Sequence, residues 1–174
     1  HSHAWKSMVH ILETLPRDEL LQATSPQLRA LAEGVLTLQE RRLVRLFIRK
    51  ERYGRYYSCL VYLPRERFNT ENRERIQALL GGALQGERVD YAVRVAESNL
   101  ARLQLLIRPR EGAVVDYDRA ALEREIAQAV RSWIDELGDV LVERFGEERG
   151  RHLLARFAPA FPEAYKEDVS AWVA

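Results

Sequence analysis

The stretch Arg42-Leu-Val-Arg-Leu-Phe-Ile-Arg49, followed by Glu51-Arg-Tyr-Gly54 and Tyr56-Tyr-Ser-Cys-Leu-Val-Tyr-Leu63, decides the fold class. In its first run Val44, Leu46 and Ile48 alternate with Leu43, Arg45, Phe47 and Arg49. That period of two predicts a strand with one apolar and one mixed face. The last run is rich in β-formers and is halted by Pro64, which cannot donate to a sheet ladder. Two such runs around a short turn containing glycine predict an antiparallel hairpin.

Working outward, Asn69 or Thr70 can cap a helix that turns Ile76, Leu79 and Leu80 to a core and ends at Gly81-Gly82. Two more strands follow, with Val89, Tyr91, Val93 and Val95 on one face of the first and Ala101, Leu103, Leu105 and Ile107 on one face of the second, joined through Ser98-Asn99. From Asp118 the helical period returns in Leu122, Ile126, Val130, Trp133, Leu137 and Leu141, predicting one helix of about seven turns. Gly146 and Gly150 punctuate the continuation, and Pro159 and Pro162 break a tail holding Phe161, Tyr165 and Trp172. Upstream, Trp5, Met8, Val9, Leu12 and Leu15 predict a helix stopped by Pro16, and Ser25-Pro26 opens a second one carrying Leu28, Leu31, Ala32 and Val35.

The central order is therefore ββαββα. A ferredoxin-like plait runs βαββαβ, and moving its last strand to the front gives this order at little geometric cost, because its first and last strands are antiparallel neighbours. We expect an α+β fold: a permuted plait with a four-stranded antiparallel sheet, helices on one face, and flanking N- and C-terminal helices. The expected divisions are a helical segment at 1–40, a sheet module at 41–110 and a C-terminal helical segment at 111–174.

Composition narrows the function classes. Of 174 residues 47% are hydrophobic and 30% charged, and 27 Lys+Arg against 26 Asp+Glu leave a net charge of +1. Such a chain can bury a core, and it lacks the basic excess that favours nucleic acid or an anionic membrane. Cys59 is the single cysteine, so no intramolecular disulfide can form, and no apolar run approaches the roughly 20 residues of a membrane span. A cytoplasmic setting is expected. Because the chain starts at His1 and its one methionine is Met8, it reads as an excerpt from a longer polypeptide.

No motif for chemistry stands out. His1, His3, His10 and His152 lack metal-ligand spacing, and Cys59 sits in an apolar strand as a packing thiol. GxSxG, Walker A and GxGxxG are all absent. Two weaker candidates remain. Arg65 and Arg67 near Asn69, at the start of a helix, have the charge and dipole to hold a carboxylate effector. Phe47, Tyr56, Leu60 and Tyr62 would form an apolar patch if their sheet face were open, as an interface or, beside Arg45 and Arg49, as an RNA platform. The interleaved Glu40, Glu51, Glu66, Glu71 and Glu74 argue against nucleic acid.

The wording of the hairpin and the helix after it, Arg49-Lys-Glu-Arg-Tyr-Gly-Arg-Tyr-Tyr-Ser-Cys-Leu-Val-Tyr-Leu-Pro-Arg-Glu-Arg-Phe-Asn-Thr-Glu71, resembles the N-terminal half of the large bacterial NAD-specific glutamate dehydrogenases. Ala129-Val-Arg-Ser-Trp-Ile-Asp-Glu-Leu137, Leu141-Val-Glu-Arg-Phe-Gly-Glu-Glu-Arg-Gly150 and Phe161-Pro-Glu-Ala-Tyr-Lys-Glu-Asp168 are similar to the helical region that follows there. The resemblance implies a parent that oxidatively deaminates L-glutamate to 2-oxoglutarate and ammonia with NAD. It also implies an ACT-like regulatory module here, with catalytic and NAD-contacting residues elsewhere, so no such residue is assigned and no cofactor is expected in this piece. The expected partners are other domains of the same chain, a second copy within a homo-oligomer of the parent, and an amino-acid effector. The competing expectation is a stand-alone RNA-binding or protein-interaction plait.

Overall fold

A computed structural model describes residues 9–41, 43–95, 100–162, 165, 166, 169, 171 and 173. Trp5, Met8, the Ser98-Asn99 turn and Trp172 fall outside them, as do the side chains of Glu40 and Val95. The chain forms two compact units, His1–Val130 and Arg131–Ala174.

In the first unit a helical turn at 9–13 and the short helix α1 (Arg17–Gln22) precede α2 (Ser25–Arg41). The sheet and its helices follow as β1 (Arg45–Lys50), β2 (Tyr57–Pro64), α3 (Thr70–Ala83), β3 (Gly86–Val95), β4 (Leu100–Pro109) and α4 (Arg119–Ala129). The strands lie in the order β1-β2-β4-β3 with every neighbouring pair antiparallel. This is the plait order after its last strand is moved to the front, so the structure has the permuted topology expected from the element order.

In β1, β2 and β4 the alternation seen in the sequence is used as it reads, whereas in β3 Tyr91 and Val93 are exposed at the sheet edge and, among its described residues, only Val89 packs on the core. Leu46, Cys59, Val61, Leu63, Leu103, Leu105 and Ile107 line one sheet face and are 0–1% exposed. They pack on Ile76, Leu80 and Leu84 after and within α3, and on Leu122, Ile126 and Val130 of the α4 region. The opposite face carries a second, smaller core, in which Leu60, Tyr62 and Leu100 meet Leu31, Ala32 and Val35 of α2 and Ile11 and Leu15 upstream, with Phe47 against its rim. The flanking N-terminal helices therefore cover the face that α3 and α4 leave.

Three local expectations change. The predicted single helix from Asp118 is two, because Ser132 and Asp135 form a reciprocal capping box that starts a new helix, α5 (Trp133–Phe145). The expected stop of α3 at Gly81-Gly82 comes later, at Ala83, since the chain must carry Leu84 into the core, where it is fully buried, before Gln85 reverses it at φ +50°. Pro16 ends the first helical turn as predicted, but it also leads directly into α1, which the apolar spacing did not announce.

The second unit is a helical hairpin of α5 and α6 (Glu147–Phe157). Gly146 makes the turn at φ +82°. Gly150 lies inside α6, where an added Cβ would stand 2.7 Å from the Val142 backbone, so it allows close helix approach and does not end a helix. Trp133, Phe161 and Tyr165 form an aromatic cluster with centroid separations of 4.9 and 5.3 Å, and the Trp133 indole N–H donates to the Val169 carbonyl at 2.6 Å.

Candidate functional site

Asn69 is the N-cap of α3: its side-chain oxygen accepts the Asn72 backbone N–H at 2.7 Å, and the Asn72 amide in turn donates to the Arg67 carbonyl at 2.7 Å. The capping motif thus holds the Arg65–Arg67 turn against the start of α3. Arg65 is exposed and Arg67 half-buried. Glu71, in the first turn of α3, pairs with Arg75 one turn along the helix.

The face holding Phe47, Leu60 and Tyr62 is not open, which corrects the expectation of an exposed patch. Leu60 and Tyr62 are 1% and 6% exposed beneath the N-terminal helices, because Leu31, Ala32 and Val35 repeat at helical spacing and need an apolar surface of their own. Phe47 meets Tyr62 edge-on, with ring centroids 6.1 Å apart, so neither ring is free to stack on a base. Burial pushes the Tyr62 phenol above its ordinary pKa. Tyr56 sits at the margin, half-buried, its hydroxyl accepting from the Gln22 amide at 3.3 Å.

A residue that sequence reasoning missed holds this cover in place. Glu19 of α1 is 4% exposed and receives a two-pronged bond from Arg49 of β1, Nε to Oε2 at 3.0 Å and Nη2 to Oε1 at 2.9 Å. The third prong of Arg49 donates to Gln22 at 3.1 Å. The hydrogen bonds to Glu19 hold the guanidinium in its charged form and raise its pKa. Arg49 was visible only as one member of an arginine run; its partner lies thirty positions upstream, and no local spacing links them.

The two sheet edges differ. At β1 the Leu46 N–H donates to Glu123 of α4 at 2.9 Å and the Leu46 carbonyl accepts from Arg119 at 3.0 Å, so helix side chains occupy that edge. Arg45 adds a third contact to Glu123 at 3.3 Å. At β3 the residues Arg88, Asp90, Tyr91, Ala92, Val93 and Arg94 are exposed, and the Arg73 guanidinium lies over the Tyr91 ring at 4.3 Å. The arginine runs are largely matched by carboxylates: Arg55 by Glu51, Arg73 by Glu74, Arg75 by Glu71 and Arg88 by Asp90.

Cys59 is fully buried on the inner sheet face, and desolvation pushes its thiol up to about 12. His10 and His152 are exposed, while His1 and His3 lie outside the described residues. Among the described residues, no group of three or more His, Cys, Asp or Glu is placed to hold a metal ion, and no helix is long and apolar enough to cross a membrane.

Residues 45–134, the plait with its closing helix, match the family described as "Glutamate dehydrogenase, ACT2 domain". The chain belongs to this glutamate dehydrogenase ACT2-domain family. On either side, residues 1–41 match "Glutamate dehydrogenase, helical motif 1" and residues 140–174 "helical motif 2". Similar proteins include the NAD-specific glutamate dehydrogenase of Halomonas elongata, 43% identical over 97% of this chain, and that of Pseudomonas aeruginosa, 40% identical over 95%. A third, from Mycobacterium tuberculosis, is 30% identical over 97% of this chain. The chain spans about a tenth of the length of these relatives: 10% of the first two and 11% of the third.

Proposed function

We propose that this chain is a non-catalytic regulatory and assembly region of a large NAD-specific glutamate dehydrogenase, whose full-length form oxidatively deaminates L-glutamate to 2-oxoglutarate and ammonia. NAD then binds elsewhere in the parent, and the setting is cytoplasmic. The single observation that carries the assembly role is the asymmetry of the sheet: α4 side chains occupy the β1 edge at Leu46, while Arg88 and Asp90 to Arg94 of the β3 edge are exposed. An unoccupied edge strand presents backbone donors and acceptors to another chain segment. The β3 edge is accordingly the surface through which this module meets other domains of the same chain or a second copy within a homo-oligomer.

The test compares the full-length parent with and without Val93→Lys, a charge placed at an exposed position of that edge. The unmodified parent is expected to form NADH from L-glutamate and NAD, whereas the 174-residue chain alone forms none. The lysine variant is expected to change the parent's light-scattering mass or its steady-state response to effectors, while the melting temperature of the isolated chain moves little. Turnover by the isolated chain, or a parent indifferent to the substitution in both assembly and kinetics, refutes the reading.

For an amino-acid effector, the anchoring proposal remains Arg65 and Arg67 at the capped start of α3, where Asn72 holds their turn against the helix through the Arg67 carbonyl. Calorimetry that gives no heat with any amino acid or 2-oxo acid at millimolar concentration removes it.

A further inference from the structure

A cavity of about 160 Å³ lies between the N-terminal helices and the outer face of β1 and β2. Leu28 and Leu31 of α2 form one wall, and Phe47 and Leu60 of the sheet the other. Its polar lining is Ser58, Gln27, Arg119 and the Glu19–Arg49 pair. Ser58 is 2% exposed, and its hydroxyl has no hydrogen-bond partner among the described residues. A buried hydroxyl is rarely left in that state, and it can both donate and accept.

The charges around the cavity do not call for a charged guest. Both oxygens of Glu19 and two nitrogens of Arg49 are spent on each other, the remaining prong of Arg49 goes to Gln22, and Arg119 is paired with Glu123 and donates to the Leu46 carbonyl. A carboxylate or ammonium entering here would lose its water without gaining a free counter-charge. The apolar walls suit a hydrocarbon body, and a cavity of this size is close to engineered ones of about 150 Å³ that bind benzene. We propose that this cavity is a binding site for a small uncharged molecule of roughly six or seven non-hydrogen atoms, carrying one hydroxyl or amide group that bonds to Ser58. Its occupant sits at the seam where α1 and α2 meet the sheet, so binding tightens the helical cover. The site stands independently of the regulatory role proposed above.

The experiment follows amide ¹H–¹⁵N signals of the 174-residue chain during titration with two neutral probes, isobutyramide and phenol, and with isobutyrate and isobutylammonium, which are similar in shape to the amide and differ from it in charge. Saturable shifts at Leu28, Phe47, Ser58 and Leu60 are expected with isobutyramide, and at least tenfold weaker binding with either ion. Ser58→Ala removes one neutral hydrogen bond and is expected to weaken isobutyramide binding about two- to tenfold while the spectrum stays native-like. Ala30→Phe, at an exposed lining position, places a ring in the cavity mouth and is expected to abolish the shifts. The proposal is overturned if isobutyramide and phenol both give no saturable shift, if binding ignores both substitutions, or if isobutyrate binds as well as the amide.

Discussion

Arg49 and Glu19 form a buried pair in which each side chain satisfies the other, with side-chain exposures of 10% and 5%. Removing one partner strands a charge, so Arg49→Met is expected to cost about 3 kcal/mol in urea unfolding. The double variant Glu19→Leu, Arg49→Met leaves no stranded charge and is expected to recover most of that loss. A double variant as unstable as the single would refute the account. Glu51 offers a different test, since its carboxylate accepts the Tyr53 and Arg55 backbone N–H groups at 3.0 and 3.2 Å and the Arg55 guanidinium at 3.0 Å. Its pKa is lowered, first by the hydrogen bond from Arg55. A carboxyl depressed by folding contributes stability above its unfolded pKa of about 4.3 and loses that contribution as pH falls through the lower folded value. Glu51→Gln is therefore expected to flatten the acid limb of the stability profile, measured by urea midpoints between pH 3 and 7. Cys59, with its thiol near 12, is expected to react with a disulfide reagent at pH 8 only as fast as the chain opens, and to label promptly in denaturant. At this scale Cys59 was legible as a packing residue from its strand neighbours. The Glu19–Arg49 pair was not, because an ion pair between separate elements leaves no periodic trace in either.

At the scale of elements, alternation and caps carried most of the information. The hairpin, the α3 cap at Asn69 and the two later strands all follow from side-chain period and capping chemistry. The long C-terminal helix failed as a reading because apolar periodicity ran on through Val130 and Trp133 while Ser132 and Asp135 formed a local start signal. Ser132→Ala is expected to lower the stability of the α5–α6 hairpin by about 1 kcal/mol, read by thermal unfolding. Gly150 shows how a helix interior can require glycine for tertiary reasons. Its missing Cβ leaves room for the Val142 backbone, so Gly150→Ala is expected to destabilise by about 1–3 kcal/mol, despite alanine's better helix propensity. A neutral or stabilising outcome in the same thermal measurement would show that α5 and α6 can separate without loss.

Across the first unit, one sheet serves two cores. The helices within the plait cover one face, and the N-terminal helices cover much of the other, enclosing Leu60 and Tyr62. Deleting residues 1–41 is expected to uncover Phe47, Leu60, Tyr62 and Leu100, with a rise in anilinonaphthalene sulfonate fluorescence and self-association on size exclusion. A truncated chain that stays monomeric and dye-silent would mean that the outer face needs no cover. The sequence alone determined the α+β class, the ββαββα order, the residues of β1, β2 and β4 that face the main core, and the family resemblance, because periodicity, caps and wording are properties of neighbours along the chain. Only the tertiary structure decided that Phe47 and Tyr62 are shielded, that Glu19 reaches Arg49, that α4 closes the β1 edge while β3 stays exposed, and that a cavity with an unpaired hydroxyl remains at the helix–sheet seam. Those features depend on which apolar surfaces find one another across tens of residues, a competition for burial that local pattern does not record.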